Sequence, residues 1–415
     1  MNQKLKFLTM GLILSSSLLT ACEPNNNTEK VVDRVHVTAD DSMSSAELAT
    51  AAEQLVGPYT FMLAYKTALK AVEKDPTNLK AQFYVNLLKR FEAFRGILTR
   101  VKPALNVEQL KNMNETIKKI PMSPLKEYLT EDGPPIKTVT EIQDVLANYT
   151  SALKDFRKFL KANQTAELNI YLNPYVFEKA IKEELKNSCT IKEGDGSVTV
   201  DCDYSQIATK KLNMADMIAL TQMTSGEILV FGLYNNYSLQ GIEKLTEVDP
   251  NHRFSQRETT NFLFSQPSFG KLRKDHIFSM LTEMGSDLSS ATKWAIEYQN
   301  KLCPKGSSVE NQRPGYLFSK GICIENVSDV QKGLAQLDSA LHGAIRVDLK
   351  RANEEIVNTE MNFFAWSTSP IQDLRQIRPT TWSKCDKAVS FADNTFGGVF
   401  VDNNAPLFVK SDCSQ

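Results

Sequence analysis

Hydrophobic residues recur at helical spacing along most of the chain. Between residues 139 and 160, Ile142, Val145, Leu146, Tyr149, Leu153, Phe156 and Leu160 fall on one face of a helix. Thr138 and Glu141 stand at its start as a Thr-x-x-Glu capping box, in which each side chain satisfies a backbone N–H left free by the first turn. Residues 275–302 place Ile277, Leu281, Met284, Leu288, Ala291, Tyr298 and Leu302 on a second stripe. Residues 327–345 do the same with Val330, Leu334, Leu337, Leu341 and Ile345, and residues 79–98 with Leu79, Phe83, Leu87, Phe91, Phe94 and Leu98. Such stripes must be buried against other helices. The run 213–239 is long and apolar, but Asp216 and Glu227 interrupt it, so it reads as a buried core helix and not as a membrane span.

Strand signals are few. Leu168-Asn169-Ile170-Tyr171 is one short run. The other is a hairpin over 189–202, where Thr190-Ile191-Lys192 and Val198-Thr199-Val200 flank the turn residues Gly194-Asp195-Gly196-Ser197. In simple register Ile191 faces Val200 and Cys189 faces Cys202. The expected fold class is all-α, or mainly α: an irregular helix stack over 42–360 carrying one small hairpin. Residues 361–415, richer in Gly, Asn and Val, are expected to pack on it as an irregular segment.

The first 21 residues read as a processing signal and not as part of the fold. Lys4 and Lys6 precede an apolar stretch over 7–19, which at about thirteen residues is shorter than the roughly twenty a spanning helix needs. It ends in Leu19-Thr20-Ala21-Cys22, which resembles the lipobox of bacterial lipoproteins. The resemblance implies a diacylglyceryl thioether on Cys22, cleavage after Ala21 and acylation of the new N-terminus. Two or three acyl chains hold a protein durably at a membrane where one does so only marginally. In that family an Asp after the lipidated Cys retains the protein in the inner membrane. Here the residue is Glu23, which implies the outer membrane. Residues 22–41 then read as the lipidated Cys and a flexible tether, able to reach roughly 60 Å when extended.

Six further cysteines, Cys189, Cys202, Cys303, Cys323, Cys385 and Cys413, fit an exported chain. Their even number suggests disulfides, although six cysteines allow fifteen pairings. The hairpin register favours Cys189–Cys202, and neighbour pairing then suggests Cys303–Cys323 and Cys385–Cys413. Each short loop so closed would add about 3 kcal/mol in the chain-entropy account. A metal site is the weaker alternative, because the spacings contain no Cys-x-x-Cys.

Residues 64–81 contain Ala64, Ala68 and Ala71 followed by Asp75-Pro76 and Asn78. The string resembles the second helix and inter-repeat turn of a tetratricopeptide (TPR) repeat, in which small residues let helices approach closely. Pro suits the start of a helix and not its interior. Residues 241–251, ending a segment in Asp249-Pro250, echo it more weakly. The resemblance implies a protein-binding helix stack, but no sustained period of about 34 residues accompanies it.

Charge and chemistry add little beyond this. Lys+Arg is 48 against 49 Asp+Glu, so no basic excess recruits nucleic acid. Hydrophobic residues at 42% and charged residues at 23% describe a folded protein and exclude a disordered or polytopic membrane chain. The four histidines, His36, His252, His276 and His342, are scattered. No His-Glu-x-x-His, Gly-x-Ser-x-Gly or Walker-type loop is present, so no catalytic, metal or cofactor residue is assigned. Ser151 to Lys154 and Ser290 to Lys293 match Ser-x-x-Lys within amphipathic helices and lack a Lys-Thr-Gly partner. Phe363, Phe364, Trp366 and Trp382 cluster in the chain and read either as core or as the wall of a sugar, peptide or lipid pocket. The sequence thus suggests a non-catalytic, lipid-anchored envelope protein that binds another protein. A ligand-binding component of an uptake system and an envelope hydrolase are the alternatives.

Overall fold

The computed structural model describes residues 35–56, 60–104, 110–111, 113–115, 118, 124–166, 168–170, 189–194, 197–202, 211–212, 214–245, 255–302, 327–350, 356–382 and 388–401. In chain order these form β1 (Val35–Asp40), α1 (Ser45–Gln54), α2 (Phe61–Lys74), α3 (Leu79–Lys89), α4 (Ile97–Arg100), α5 (Pro124–Thr130), α6 (Val139–Ala162), β2 (Leu168–Asn169), β3 (Cys189–Gly194), β4 (Ser197–Cys202), β5 (Lys211–Leu212), α7 (Met214–Leu233), α8 (Gln256–Ser265), α9 (Leu281–Leu302), α10 (Val327–His342), β6 (Ile345–Lys350), β7 (Ile356–Met361), α11 (Ala365–Thr368), β8 (Pro379–Trp382) and β9 (Ala388–Phe391). The fold is mainly helical, as the spacing of apolar residues predicts.

The chain divides into two compact units where the sequence suggests one helical body. The first comprises Met1–Lys137, Asn148–Glu227 and Gln299–Cys323, and the second Thr138–Ala147, Ile228–Tyr298 and Ile324–Gln415. The C-terminal segment is therefore part of the second unit.

In the first unit α1, α2 and α3 each pack on the other two. Ala64, Ala68 and Ala71 are fully buried, which is what lets the helices close together. Ser44 caps α1 in a box with Glu47. Asn78 caps α3 after the Asp75-Pro76 joint, and its amide donates to Ser45 Oγ at 3.0 Å. Buried Glu53 joins α1 to α3 by accepting from Tyr84 Oη at 2.8 Å and pairing with Lys80. The helix expected over 79–98 breaks at residues 90–94 into a 3-10 turn. Gly96 precedes α4, and at φ +64° its missing Cβ would lie 2.2 Å from the Glu131 carbonyl oxygen, so a side chain does not fit there.

The hairpin over 189–202 has the expected register, Cys189 opposite Cys202 and Ile191 opposite Val200. A third strand joins it. Residues 35–40, expected to belong to the tether, form β1 and pair antiparallel with β4 from Val35↔Cys202 to Asp40↔Ser197. The alternation of Val35, Val37 and Ala39 with polar residues explains this, because Val37 and Ala39 are buried while Thr38 is exposed. The turn after β1 is clamped to α2, where Lys70 pairs with Asp41 at 2.6 Å and Lys74 Nζ donates to the Met43 carbonyl at 2.7 Å.

In the second unit Thr138 and Glu141 form the expected box: the Thr138 N–H donates to Glu141 Oε2 at 2.9 Å and the Glu141 N–H to Thr138 Oγ1 at 3.2 Å. Tyr237, Phe278 and Ile371 make a core cluster, with Leu272, Leu281, Trp366 and Leu374 packed around it. β6 and β7 form a hairpin inside the region expected to be helical, with Ile345 opposite Met361. Residues 242–244, within the weaker TPR echo, form only a 3-10 turn after Gly241 at φ +102°. Residues 246–251, which complete that echo, lie outside the described residues.

Candidate functional site

Several of the residues singled out in the sequence fall where the structure describes nothing. Cys22, Cys303, Cys323, Cys385 and Cys413 lie outside the described residues. The four aromatic residues occupy different environments. Trp366 packs edge-on against Phe278 at 5.2 Å and Tyr237 at 6.4 Å, and its indole N–H donates to the Phe396 carbonyl at 2.8 Å. The Phe364 ring lies where Gly285 leaves room for it. Trp382 is half-buried on β8, and Phe363 is 47% exposed. Trp366 is thus a core residue. In the second Ser-x-x-Lys string, Ser290 is exposed and Lys293 pairs with Asp338 at 2.6 Å. Among the described residues no group of three His, Cys, Asp or Glu side chains is placed to hold a metal ion.

The feature missed in the sequence is the polar row buried along α7. Its buried side carries Asp216, Thr221, Thr224, Ser225 and Glu227 beside Met217, Leu220, Ile228 and Phe231. Thr221 and Thr224 return their hydroxyls to the carbonyls of Met217 and Leu220, both at 2.7 Å. Arg157 of α6 donates through Nε to Ser225 Oγ at 2.9 Å. Arg90, at the point where α3 gives way to the 3-10 turn, donates through Nη1 to Glu227 Oε2 at 2.8 Å. Burial pushes the Glu227 carboxyl above the usual carboxylate range, and Arg90 offsets part of that. Burial also raises the nearby Tyr149 hydroxyl. A polar row at helical spacing, from Asp216 through Thr221, Thr224 and Ser225 to Glu227, was the available sequence signal.

Away from this buried side, the end of the helix exposes apolar residues. Leu229, Val230, Leu233 and Tyr234 are 39%, 41%, 56% and 50% exposed. The buried core helix expected over 213–239 is found with one exposed apolar edge, and it ends at Leu233. Its end is held rigidly. Gln143 donates through Nε2 to the carbonyls of Tyr234 at 2.9 Å and Tyr237 at 2.8 Å, and accepts from the Leu239 N–H at 3.0 Å. Asn236 Oδ1 accepts from the Ile277 N–H at 2.8 Å. Arg273 bridges Asp144 at 2.7 Å and Asp275 at 3.0 Å. Gly232 turns toward Ile277, whose side chain would meet a Cβ there at 2.5 Å. The apolar residues therefore stand on a fixed base.

Gln143→Ala leaves the Leu239 N–H and two carbonyls short of their partner. It is expected to lower stability by about 2–3 kcal/mol, read in urea melts, because a buried polar group stripped of its bond costs about 1–3 kcal/mol. Backbone amide exchange over 234–239 should accelerate with it.

No protein-family model matches the chain, and neither curated proteins nor solved structures yield a match.

Proposed function

We propose that this protein is an outer-membrane lipoprotein facing the periplasm, anchored through diacylglycerol and palmitate on Cys22, whose helical body binds a protein partner of the cell envelope. The anchor rests on the apolar stretch ending in Leu19-Thr20-Ala21-Cys22. The observation that carries the binding role is the α1–α2–α3 triplet. Its three fully buried alanines and the Asp75-Pro76 joint are the features that make the region TPR-like. On this reading the body is a divergent TPR-like superhelix acting as an interaction or scaffold module. The oxidising compartment would close Cys189–Cys202, whose strand positions already face one another. Cys303–Cys323 and Cys385–Cys413 are proposed as the other two bridges.

Cys22→Ser is expected to abolish incorporation of labelled palmitate and cleavage after Ala21, both seen as a change in intact mass. A wild-type chain that carries no lipid would sink the anchor reading. Photo-crosslinkers placed at exposed positions of α2, such as Lys66, should trap one partner reproducibly. A partner trapped equally from an unrelated face would count against the triplet as the binding element.

A further inference from the structure

We propose that the β6–β7 hairpin is a self-association surface, at which two copies of this chain join β6 to β6 antiparallel about a two-fold axis at Val347. β6 is an edge strand. Among the described residues β7 is its one strand partner, in unbroken register from Ile345↔Met361 to Lys350↔Ile356. The far edge of β7 is covered at its end, where the Val401 N–H donates to the Glu360 carbonyl at 3.0 Å and Met361 bridges Phe400. An edge strand leaves a row of backbone N–H and C=O groups ready to pair with another chain, and proteins blunt such edges with bulges or proline. The β8–β9 pair shows both devices, with Pro379 at the start of β8 and register shifts between Pro379 and Trp382. β6 has neither.

The charges along β6 select a second copy as the occupant. Opposed residues of an antiparallel pair share a face, so self-pairing sets odd positions against odd and even against even. Centred on Val347, it places Arg346 opposite Asp348 of the second copy, and Asp348 opposite Arg346 of the second copy. Two opposite-charge pairs then flank the axis. Centred on Arg346 or on Asp348, the same pairing sets two arginines or two aspartates against each other, which is unfavourable. A centre at Leu349 also matches opposite charges, but it pairs only residues 348–350, against 345–349 for the centre at Val347. Arg346 and Asp348 are both exposed. Asn358 Nδ2 donates to Asp348 Oδ1 at 2.8 Å, which orients the carboxylate and leaves Oδ2 for an arginine. Arg346 stands opposite Glu360 in its own hairpin, and its several donors can serve a carboxylate on each side. The other face of the hairpin carries half-buried Val347 beside buried Thr359 and Met361. Joining two hairpins therefore gives one four-stranded sheet with a continuous inner face. A lone two-stranded hairpin is marginal, and further strands sharing an apolar face supply what it lacks. Because each copy offers the same edge, the relation closes at a dimer. It involves the second unit alone and depends on neither the lipid anchor nor the α1–α2–α3 triplet.

Sedimentation of the whole purified chain in detergent, which disperses any acyl chains, tests the pairing. A monomer–dimer equilibrium is expected, and a chain that stays monomeric up to about 0.1 mM overturns the proposal. Asp348→Arg turns both attractive pairs into repulsive ones and is expected to weaken the dimer at least about tenfold. A dimer that this variant leaves unchanged also overturns the proposal, because another face would then hold the copies. The decisive measurement is a mixture. Arg346→Asp and Asp348→Arg are each expected to be monomeric alone and to form a mixed dimer together, since every charge then meets its opposite again. A mixture that stays monomeric, with both variants folded by circular dichroism, overturns the pairing. Should Arg346→Asp not fold, the photo-crosslinker benzoylphenylalanine in place of Val347 decides. It is expected to give a covalent dimer linked between the two copies of β6, and links between copies that reach only other segments overturn the proposal.

Discussion

At pH above the raised value of the Glu227 carboxyl, where it is ionised, Glu227→Ala is expected to destabilise the protein by about 3–5 kcal/mol, because it strands the buried Arg90 guanidinium without its counter-charge. Both side chains are nearly inaccessible, at 9% and 6%, so water cannot replace the lost partner. Replacing both together, Arg90→Met with Glu227→Leu, is expected to be neutral or stabilising, since well-packed apolar residues avoid the desolvation of two charges. Urea melts of the two single variants and the double variant separate these cases. The pH dependence has a definite sign. Burial raises the Glu227 carboxyl above its ordinary 4.5, so between that value and the raised one the folded state holds a proton the unfolded state lacks. The stability this group contributes is fully present below about pH 4.5 and is lost as pH rises through the raised value. Glu227→Gln removes that slope. A slope unchanged in Glu227→Gln would show that the carboxyl titrates in the folded state as it does in the unfolded chain.

Legibility from sequence followed the strength of the local signal. The α6 stripe and its Thr138–Glu141 box were readable because both are short-range patterns that tertiary context did not override. The hairpin register was readable because turn residues and flanking β-branched runs fix it locally. β1 was not read: its alternation is only six residues long, and its partner β4 lies far along the chain. The same holds for β6, where Ile345, Val347 and Leu349 alternate at the end of a helical stripe whose period masks them. The need for a glycine at residue 96 comes from its close approach to Glu131, a contact no window around residue 96 contains. α7 failed for another reason. Its apolar composition suggested burial, but Met217, Leu220, Ile228 and Phe231 share the buried side with polar residues, and Leu229, Val230 and Leu233 stay exposed. The polar row along Thr221, Thr224 and Ser225 carried that information, but periodicity alone does not say which face turns inward.

Phe83→Ala should lower stability by a similar amount, about 3–5 kcal/mol, for an unrelated reason. Phe83 of α3 is fully buried and meets three rings edge-on: Tyr84 at 5.4 Å, Phe156 at 5.7 Å and Phe159 at 6.4 Å. Truncation removes the apolar area and leaves a cavity that α3 and α6 cannot close without moving Tyr84, which is itself tied to Glu53. The two stripes that place Phe83 and Phe156 were each visible in the sequence, but that they face one another was not. A double-mutant cycle with Phe156→Ala measures that relation. A coupling of about 0.5–1.5 kcal/mol is expected for edge-to-face rings in contact. Additive losses would mean that each ring packs against something other than its partner, and the helix pairing in the first unit would need revision. Because the α1–α2–α3 triplet depends on this pairing for a firm base, Phe83→Ala should also weaken partner capture through Lys66 in proportion to the unfolded fraction. Phe156→Ala should do the same. An exposed change on α6 such as Ser151→Ala should leave both stability and capture unaltered.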